Sequence, residues 1–117
     1  MSDESITLCT VDEIPPNTSK GFTVGKQTIF VVNRAGQFHA YLNRCPHLGI
    51  RLEWQPDQFL DTDARLIQCA THGALFLIET GLCIAGPCAG QHLTKLACHS
   101  SNQQICVTLP LSSAEAH

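Results

Sequence analysis

The chain has 117 residues, 44% of them apolar and 15% charged, with a net charge of −3 when the histidines are neutral. This length suits one domain with its own core, and the apolar content excludes an intrinsically disordered chain. No basic run supports nucleic-acid binding, and no apolar stretch approaches the roughly 20 residues that cross a bilayer. The first five residues begin acidic, without the apolar core of a secretory signal, so we expect a cytoplasmic protein with no membrane segment.

Short β-prone runs separated by turns account for most of the chain. Pro15-Pro16 marks a turn after the first strand, and Pro110 stops the last one. Three pairs of runs predict three antiparallel hairpins: residues 28–33 with 37–42, 66–69 with 75–78, and 93–98 with 104–109. The first turn contains Gly36, and the third is the polar stretch 100–103. No segment shows a long apolar stripe at helical spacing. The prediction is a single all-β domain over residues 1–117, an antiparallel sandwich or barrel.

Two short segments each place a thiol and an imidazole close together. Residues 45–49, the first ligand segment, read Cys-Pro-His-Leu-Gly, and residues 69–73, the second ligand segment, read Cys-Ala-Thr-His-Gly. Thiolates and imidazoles are metal ligands, and a glycine near each histidine allows the backbone angles that a ligand-bearing turn demands. Either segment alone arises easily by chance. Their occurrence together in one chain indicates a metal centre.

This pair of segments resembles the signature of Rieske [2Fe–2S] proteins, in which two cysteines bind one iron and two histidines bind the other. The resemblance covers nearly the whole chain and is closest to the small Rieske ferredoxins of multicomponent oxygenase systems. It implies one [2Fe–2S] cluster with four protein ligands: Cys45, His47, Cys69 and His72. It also implies a Rieske-like fold, in which a cluster-binding subdomain at about residues 43–90 carries both ligand loops and is inserted in the β base. Structural zinc on the same donors is the alternative, although zinc sites space paired ligands more widely and group like ligands together.

The resemblance also indicates the surroundings of the cluster. A proline-containing loop covers the cluster in this family, and Gly86-Pro87-Cys88-Ala89 falls at that place, with an ordinary turn as the alternative. The predicted cluster environment comprises Leu48, Gly49, Gly73, Ala74 and Pro87. The imidazole edges of the two histidine ligands would be the exit for the electron. An apolar collar of Leu48, Ile50 and Pro87 would surround them, although the first two could equally serve only as packing.

Two differences from the high-potential Rieske subunits of cytochrome bc complexes predict a low reduction potential. Those subunits carry a disulfide between two positions that are Ile50 and Thr71 here. They also carry a serine and a tyrosine whose hydroxyl groups donate to sulfur, at positions that are Ala74 and Phe76 here. Fewer donors stabilise the reduced, more negative cluster less. We therefore expect a potential near the lower end of the Rieske range, about −150 mV.

These features together predict an electron carrier and not an enzyme. The chain has no space for the mononuclear-iron domain of an oxygenase, and it has no Gly-x-Gly-x-x-Gly segment for a flavin or nicotinamide. The resemblance implies transient partners, a flavoprotein reductase and a terminal oxygenase. One alternative is a redox subunit held permanently in another complex, related to the small subunit of assimilatory nitrite reductase. Another is a sensor or a structural metal site.

The remaining cysteines have no assigned chemistry. Seven cysteines in a chain of cytoplasmic character favour metal ligation over a disulfide framework. Four of them lie in strand-like runs and are expected to pack as small apolar residues: Cys9, Cys83, Cys98 and Cys106. Cys98 and Cys106 could face each other across the last hairpin, with a disulfide the less favoured outcome, and Cys88 is not expected to be a fifth ligand. Trp54 and Phe59 are expected in the core.

Overall fold

A computed structural model describes residues 4–24, 27–44, 57–61, 65–69 and 73–109, and over these residues the regular structure is almost entirely β-strand. The strands are β1 (Glu4–Thr10), β2 (Thr18–Val24), β3 (Gln27–Arg34), β4 (Gln37–Leu42), β5 (Leu66–Gln68), β6 (Leu75–Leu77), β7 (Cys83–Ala85), β8 (Lys95–Ser101) and β9 (Gln104–Leu109). A short 3-10 turn, Val11–Glu13, follows β1. The predicted all-β class is confirmed. None of the described residues forms a helix with the length and apolarity needed to cross a bilayer.

The strands form two antiparallel sheets. The larger has six strands in the order β1-β9-β8-β4-β3-β2, and the smaller has three in the order β5-β6-β7. All three predicted hairpins are present, as β3–β4, β5–β6 and β8–β9. In the first, Arg34 lies opposite Gln37, which leaves a two-residue turn. Its residues Ala35 and Gly36 have φ values of 52° and 91°, the left-handed pair that this tight turn requires.

Strands β2 and β8 differ from the sequence predictions for identifiable physical reasons. Strand β2 was not predicted, because it contains Lys20 and Gly21, which have little strand preference. Tertiary contact explains the glycine, since a Cβ atom there would lie 3.1 Å from the Phe59 ring. Strand β8 begins at Lys95 and not at residue 93, because the backbone N–H of Leu93 donates to the Gly81 carbonyl in a neighbouring turn.

Strand β3 is buried on both faces and divides the core into two clusters. Its residues alternate, with Phe30 and Val32 in the cluster beside the small sheet and Ile29 and Val31 in the cluster against the rest of the large sheet. In the first cluster Phe30 stacks on Phe59, with ring centroids 4.4 Å apart and planes 6° apart. Phe59 is fully buried, as predicted, whereas Trp54 lies outside the described residues.

The small sheet is joined to the large one by side chains from β4 and β8. The hydroxyl of Tyr41 on β4 donates to the Ile78 carbonyl at 2.5 Å, directly after β6. The ammonium of Lys95 on β8 donates to the Glu79 carbonyl at 2.5 Å, one residue further along. Burial raises the pKa of Tyr41, so its hydroxyl keeps its proton and remains the donor. These bonds hold the end of β6 in place.

Cys98 and Cys106 do not face each other across the last hairpin. The register of β8 with β9 places Cys98 opposite Val107 and Cys106 opposite His99, so the two thiols lie on opposite faces of the hairpin. Both side chains are partly buried. Burial raises the pKa of the Cys98 thiol to about 11.

Candidate metal centre

Of the four predicted ligands, Cys69 is described by the structure. Cys45, His47 and His72 lie outside the described residues, as do three predicted neighbours of the cluster, namely Leu48, Gly49 and Ile50. Cys69 directly follows β5 and is fully buried. Among the described residues, no three His, Cys, Asp or Glu side chains are grouped so as to hold a metal ion.

Two backbone hydrogen bonds fix the ends of the second ligand segment. The N–H of Cys69 donates to the Ala74 carbonyl at 2.8 Å, and the N–H of Gly73 donates to the Cys69 carbonyl at 2.9 Å. Gly73 has a φ of 69°, in the left-handed region that glycine adopts without strain. The small sheet and these two bonds therefore hold Cys69 and Gly73, the two ends of the second ligand segment, close together.

The outer edge of β5 is held by residues 59–61. The N–H of Gln68 donates to the Phe59 carbonyl, and the N–H of Asp61 donates to the Leu66 carbonyl, both at 2.9 Å. The Asp61 carboxylate accepts from the backbone N–H of Arg65 at 3.0 Å and of Leu66 at 3.2 Å. These contacts set the direction in which the chain enters β5 and reaches Cys69.

Asp57 anchors this region to the large sheet and was not identified from the sequence. Its carboxylate accepts from the backbone N–H of Gly21 at 2.8 Å, and its carbonyl accepts from the Ser19 hydroxyl at 2.7 Å. Asp57 has a φ of 66°, a left-handed conformation that aspartate tolerates better than most residues. The only sequence signal was an aspartate directly after Pro56, which is typical of many surface turns.

Residues 86–90, the proline loop, lie directly against the second ligand segment. Gly86 has a φ of 106°, and a Cβ atom there would lie 2.8 Å from the Cα of Ala74 and 3.0 Å from its Cβ. The loop is closed by the N–H of Gly90, which donates to the Cys83 carbonyl at 2.9 Å. Pro87 is exposed and Cys88 is fully buried. This contact requires glycine at position 86, both for its φ and for the approach to Ala74.

The described side chains that share the core cluster of Cys69 are mostly apolar, and neither of the two positions singled out above carries a hydroxyl. Ala74 is 1% exposed, Phe76 is fully buried, and both belong to the same core cluster as Cys69. The thiolate form of cysteine is costly in such surroundings unless a cation neutralises it. A soft sulfur donor in a water-excluding shell fits an iron–sulfur cluster, whose irons supply that charge.

Known proteins with similar sequences belong to the family that the two ligand segments resemble. The sequence profile of the Rieske [2Fe–2S] domain matches residues 4–106. The ferredoxin component of an alkene monooxygenase system from Xanthobacter autotrophicus is 33% identical over 67% of this chain and 61% of that protein. The iron–sulfur subunit of a cytochrome b6-f complex from Chlorobaculum thiosulfatiphilum is 32% identical over 72% of this chain and 42% of that protein. The matched part thus spans less than two thirds of either relative.

A solved structure shows the same fold. The ferredoxin of carbazole 1,9a-dioxygenase from Nocardioides aromaticivorans superposes with a TM-score of 0.73 at 22% identity, over 88% of this chain and 95% of that one. The profile match covers most of the chain, from β1 into β9. The chain therefore belongs to the Rieske [2Fe–2S] domain family, and its cofactor is a single Rieske-type [2Fe–2S] cluster.

Proposed function

We propose that this protein is a cytoplasmic one-electron carrier that receives electrons from a flavoprotein reductase and delivers them to a terminal oxygenase. The observation that carries the proposal is the buried pair Ala74 and Phe76 in the core cluster of Cys69, which favours a low-potential cluster. The name of the relative from Xanthobacter autotrophicus agrees with it, since that protein is the ferredoxin component of an alkene monooxygenase system. In this role the chain catalyses no turnover itself.

The cluster ligands in this proposal are Cys45, His47, Cys69 and His72. When bound, the cluster would supply one-electron chemistry at this site. The two cysteines would hold it as thiolates and the two histidines as neutral imidazoles, a ligand set that would leave the oxidised centre neutral and so make it easier to reduce than one held by four thiolates. The burial of Cys69 and the closed backbone around its loop support its part in this set.

The side chains near the second ligand segment keep the potential in the lower part of the Rieske range. Hydroxyl donors to the cluster sulfur would stabilise the reduced state, and neither Ala74 nor Phe76 supplies one. The expected midpoint is about −150 mV at neutral pH. Such a potential suits an intermediate between a reduced flavin and an oxygenase and does not suit quinol oxidation.

The cluster-binding subdomain is proposed to occupy about residues 43–90, within a single domain over 1–117. The order of strands supports this division, because β5, β6 and β7 form their own sheet while β4 and β8, on either side in sequence, are neighbours in the large sheet. The electron would leave through the imidazole edges of His47 and His72. The exposed Pro87 would border this exit, and the docking area with each partner would be small, as in other transient redox pairs.

One observation favours a second candidate function, a redox subunit held permanently in a larger complex. The relative from Chlorobaculum thiosulfatiphilum is named as such a subunit, of a cytochrome b6-f complex. The small subunit of assimilatory nitrite reductase would be another example of this class. A monomeric, freely diffusing holoprotein favours the carrier, and an obligate hetero-oligomer favours the subunit.

A redox titration combined with reduction kinetics tests the proposal. The holoprotein is titrated anaerobically in the presence of mediators, and its reduction by an NADH-dependent flavoprotein reductase is followed by stopped-flow absorbance. We expect a negative midpoint and complete reduction by the flavoprotein. A midpoint above zero, or no reduction by any such reductase, would contradict the carrier role.

Two cysteine variants test the ligand assignment separately from the function. Cys69→Ser is expected to abolish the visible and EPR signals of the Rieske cluster while the far-UV circular dichroism of the sheets remains. Cys98→Ser, on the hairpin of the large sheet, is the matched control and should keep the cluster. Normal Rieske signals in Cys69→Ser would remove Cys69 from the ligand set.

A further inference from the structure

Two cysteines that are not among the predicted ligands lie in direct contact. The Sγ atom of Cys83, on β7, is 3.0 Å from the Sγ atom of Cys88, in the proline loop. Cys83 is 2% exposed and Cys88 is fully buried. The separation is longer than a disulfide bond of about 2.05 Å, so the two sulfurs are in contact and not bonded.

The backbone holds this pair of thiols together. The N–H of Cys83 donates to the Gln91 carbonyl at 2.8 Å, and the Cys83 carbonyl accepts from the Gly90 N–H at 2.9 Å. At the other cysteine, the Cys88 carbonyl accepts from the Gln91 N–H at 2.9 Å. Both cysteines are thus tied to Gln91 by backbone hydrogen bonds, and this arrangement holds their sulfurs in contact.

We propose that Cys83 and Cys88 form a reversible dithiol–disulfide pair that responds to low-molecular-weight disulfides such as oxidised glutathione. Local opening of the proline loop exposes Cys88, whose thiolate attacks the glutathione disulfide, forming a mixed disulfide and releasing one reduced glutathione. The other cysteine then displaces the second glutathione. In sum, two protein thiols and one glutathione disulfide give one protein disulfide and two reduced glutathiones, with both protons leaving the protein.

The position of the pair gives the disulfide a structural consequence. The Gly86 backbone lies against Ala74, whose carbonyl accepts from the N–H of Cys69. A bond from Cys88 to β7 pins the proline loop over this end of the second ligand segment. In the dithiol form the loop is held by its backbone hydrogen bonds and packing. Oxidation therefore protects the cluster from loss without changing its ligands.

This pair differs from the disulfide of the high-potential Rieske subunits. The positions of that disulfide are occupied by Ile50 and Thr71 in this chain. Cys83 and Cys88 also form no metal-binding group with a third ligand among the described residues. Their contact is therefore a separate feature, and it does not depend on which partner the cluster reduces.

Differential alkylation of the holoprotein tests the bond. The protein is equilibrated anaerobically in glutathione buffers of increasing oxidised fraction, starting both from the dithiothreitol-reduced and from the oxidised form. Iodoacetamide in denaturant first alkylates every free thiol, whether exposed or buried in the native protein. The disulfides are then reduced, and the thiols that this releases are labelled with N-ethylmaleimide. Tandem mass spectrometry assigns the two labels to individual cysteines, and visible absorbance before denaturation reports whether the cluster is intact.

We expect Cys83 and Cys88 to gain the second label together as the buffer becomes oxidising, and to lose it together on return to dithiothreitol, while the cluster absorbance is kept. Cys98 and Cys106 are internal controls and should carry the first label throughout. The proposal is overturned if both thiols of the pair keep the first label in every buffer. It is also overturned if one of them carries only a glutathione adduct, or if the bond forms only after the cluster is lost.

Cluster loss to an iron chelator tests the structural consequence. The wild-type protein should lose its cluster several-fold more slowly in the oxidising buffer than in the reducing one. Cys88→Ser should show no such difference, and Cys106→Ser, the matched control on β9, should show the wild-type difference. If Cys88→Ser does not take up a cluster, Cys83→Ser serves in its place. Equal rates for the wild-type protein in the two buffers would refute the pinning of the loop.

Discussion

The contact between the proline loop and Ala74 can be tested by a pair of glycine substitutions within the same loop. Gly86 and Gly90 both have positive φ values, 106° and 93°. A Cβ atom at Gly86 would lie 2.8 Å from the Ala74 Cα, whereas a Cβ atom at Gly90 would meet no atom of the described structure within 4 Å. The variants Gly86→Ala and Gly90→Ala therefore share the backbone strain and differ in the steric contact.

The cost of the strained backbone conformation and the cost of the steric contact can be estimated separately. A non-glycine residue in such a conformation costs about 1–3 kcal/mol, so this is the expected loss for Gly90→Ala. Overpacking against a backbone atom that cannot rotate away costs about 1–3 kcal/mol more, which brings Gly86→Ala to about 2–6 kcal/mol. For a domain of this size 1 kcal/mol corresponds to roughly 3–5 °C in Tm. The Tm of Gly86→Ala should therefore lie below that of Gly90→Ala by roughly 3–15 °C.

Thermal unfolding of the anaerobic holoproteins, followed by far-UV circular dichroism, measures this difference. The visible absorbance of the cluster provides a second readout. Displacement of Ala74 disturbs the hydrogen bond from the Cys69 N–H, so Gly86→Ala should also lose its cluster faster than Gly90→Ala. Equal midpoints and equal rates of cluster loss would refute the packing of the proline loop against the second ligand segment.

Three further predictions concern side chains of the large sheet. Tyr41→Phe removes the donor to the Ile78 carbonyl and should lower the free energy of unfolding by about 1–3 kcal/mol in urea titrations. Burial, with the charge of Lys95, lowers the pKa of His39, so the fold favours the neutral imidazole. The unfolded chain therefore binds more protons, and the free energy of unfolding should decline as the pH falls below about 6.5. The decline should be less steep in His39→Gln. Burial raises the pKa of Cys98 to about 11, so iodoacetamide should alkylate it much more slowly at pH 8 in the folded protein than in urea.

Each of these has a result that contradicts it. An unchanged urea midpoint for Tyr41→Phe would mean that the bond from β4 contributes nothing to holding β6. A profile for His39→Gln that matches the wild-type slope below neutral pH would assign the acid sensitivity to other groups. Equal alkylation rates of folded and unfolded Cys98 at pH 8 would show that its thiol is not protected by burial.

The hairpins were predictable because their signals are local. Gly36 supplies the left-handed residue of the β3–β4 turn, and the residues on either side are rich in strand formers. Strand β3 is a nearly continuous apolar run because both of its faces are buried. A search for strict alternation of apolar and polar residues would not have identified this strand. In the second ligand segment, the cysteine and the final glycine of the motif are residues whose backbone hydrogen bonds fix its two ends.

The order of the strands could not be predicted, because it depends on contacts between distant parts of the chain. The pairing of β1 with β9 brings Ile6 opposite Val107, and no local pattern marks these residues as partners. Strand β2 forms although Gly21 disfavours it, since Phe59 packs on the glycine and Asp57 accepts from its N–H. Tertiary contacts outweigh intrinsic preference there.

Within the site, the sequence indicated the types of ligand residue but not the contacts that hold the surrounding loops in place. Nothing in the spacing of Cys83 and Cys88 predicts that their sulfurs meet, because the bend at Gly86 brings them together. The hydroxyl of Tyr41 reaches Ile78 because side chains of both sheets, among them Phe30 and Phe76, share one core cluster. The assignment of Cys45, His47 and His72 as ligands remains a prediction from the motif, since these residues lie outside the described ranges.

Low-temperature EPR of the anaerobically purified protein, before and after reduction by dithionite, tests the central claim most directly. A Rieske cluster with two cysteine and two histidine ligands predicts a red-brown protein that is EPR-silent when oxidised. On reduction it should give a rhombic signal whose average g value lies below that of the free electron. A colourless protein that contains one zinc ion and shows no signal after reduction would contradict the account, and the two ligand segments would then form a structural zinc site.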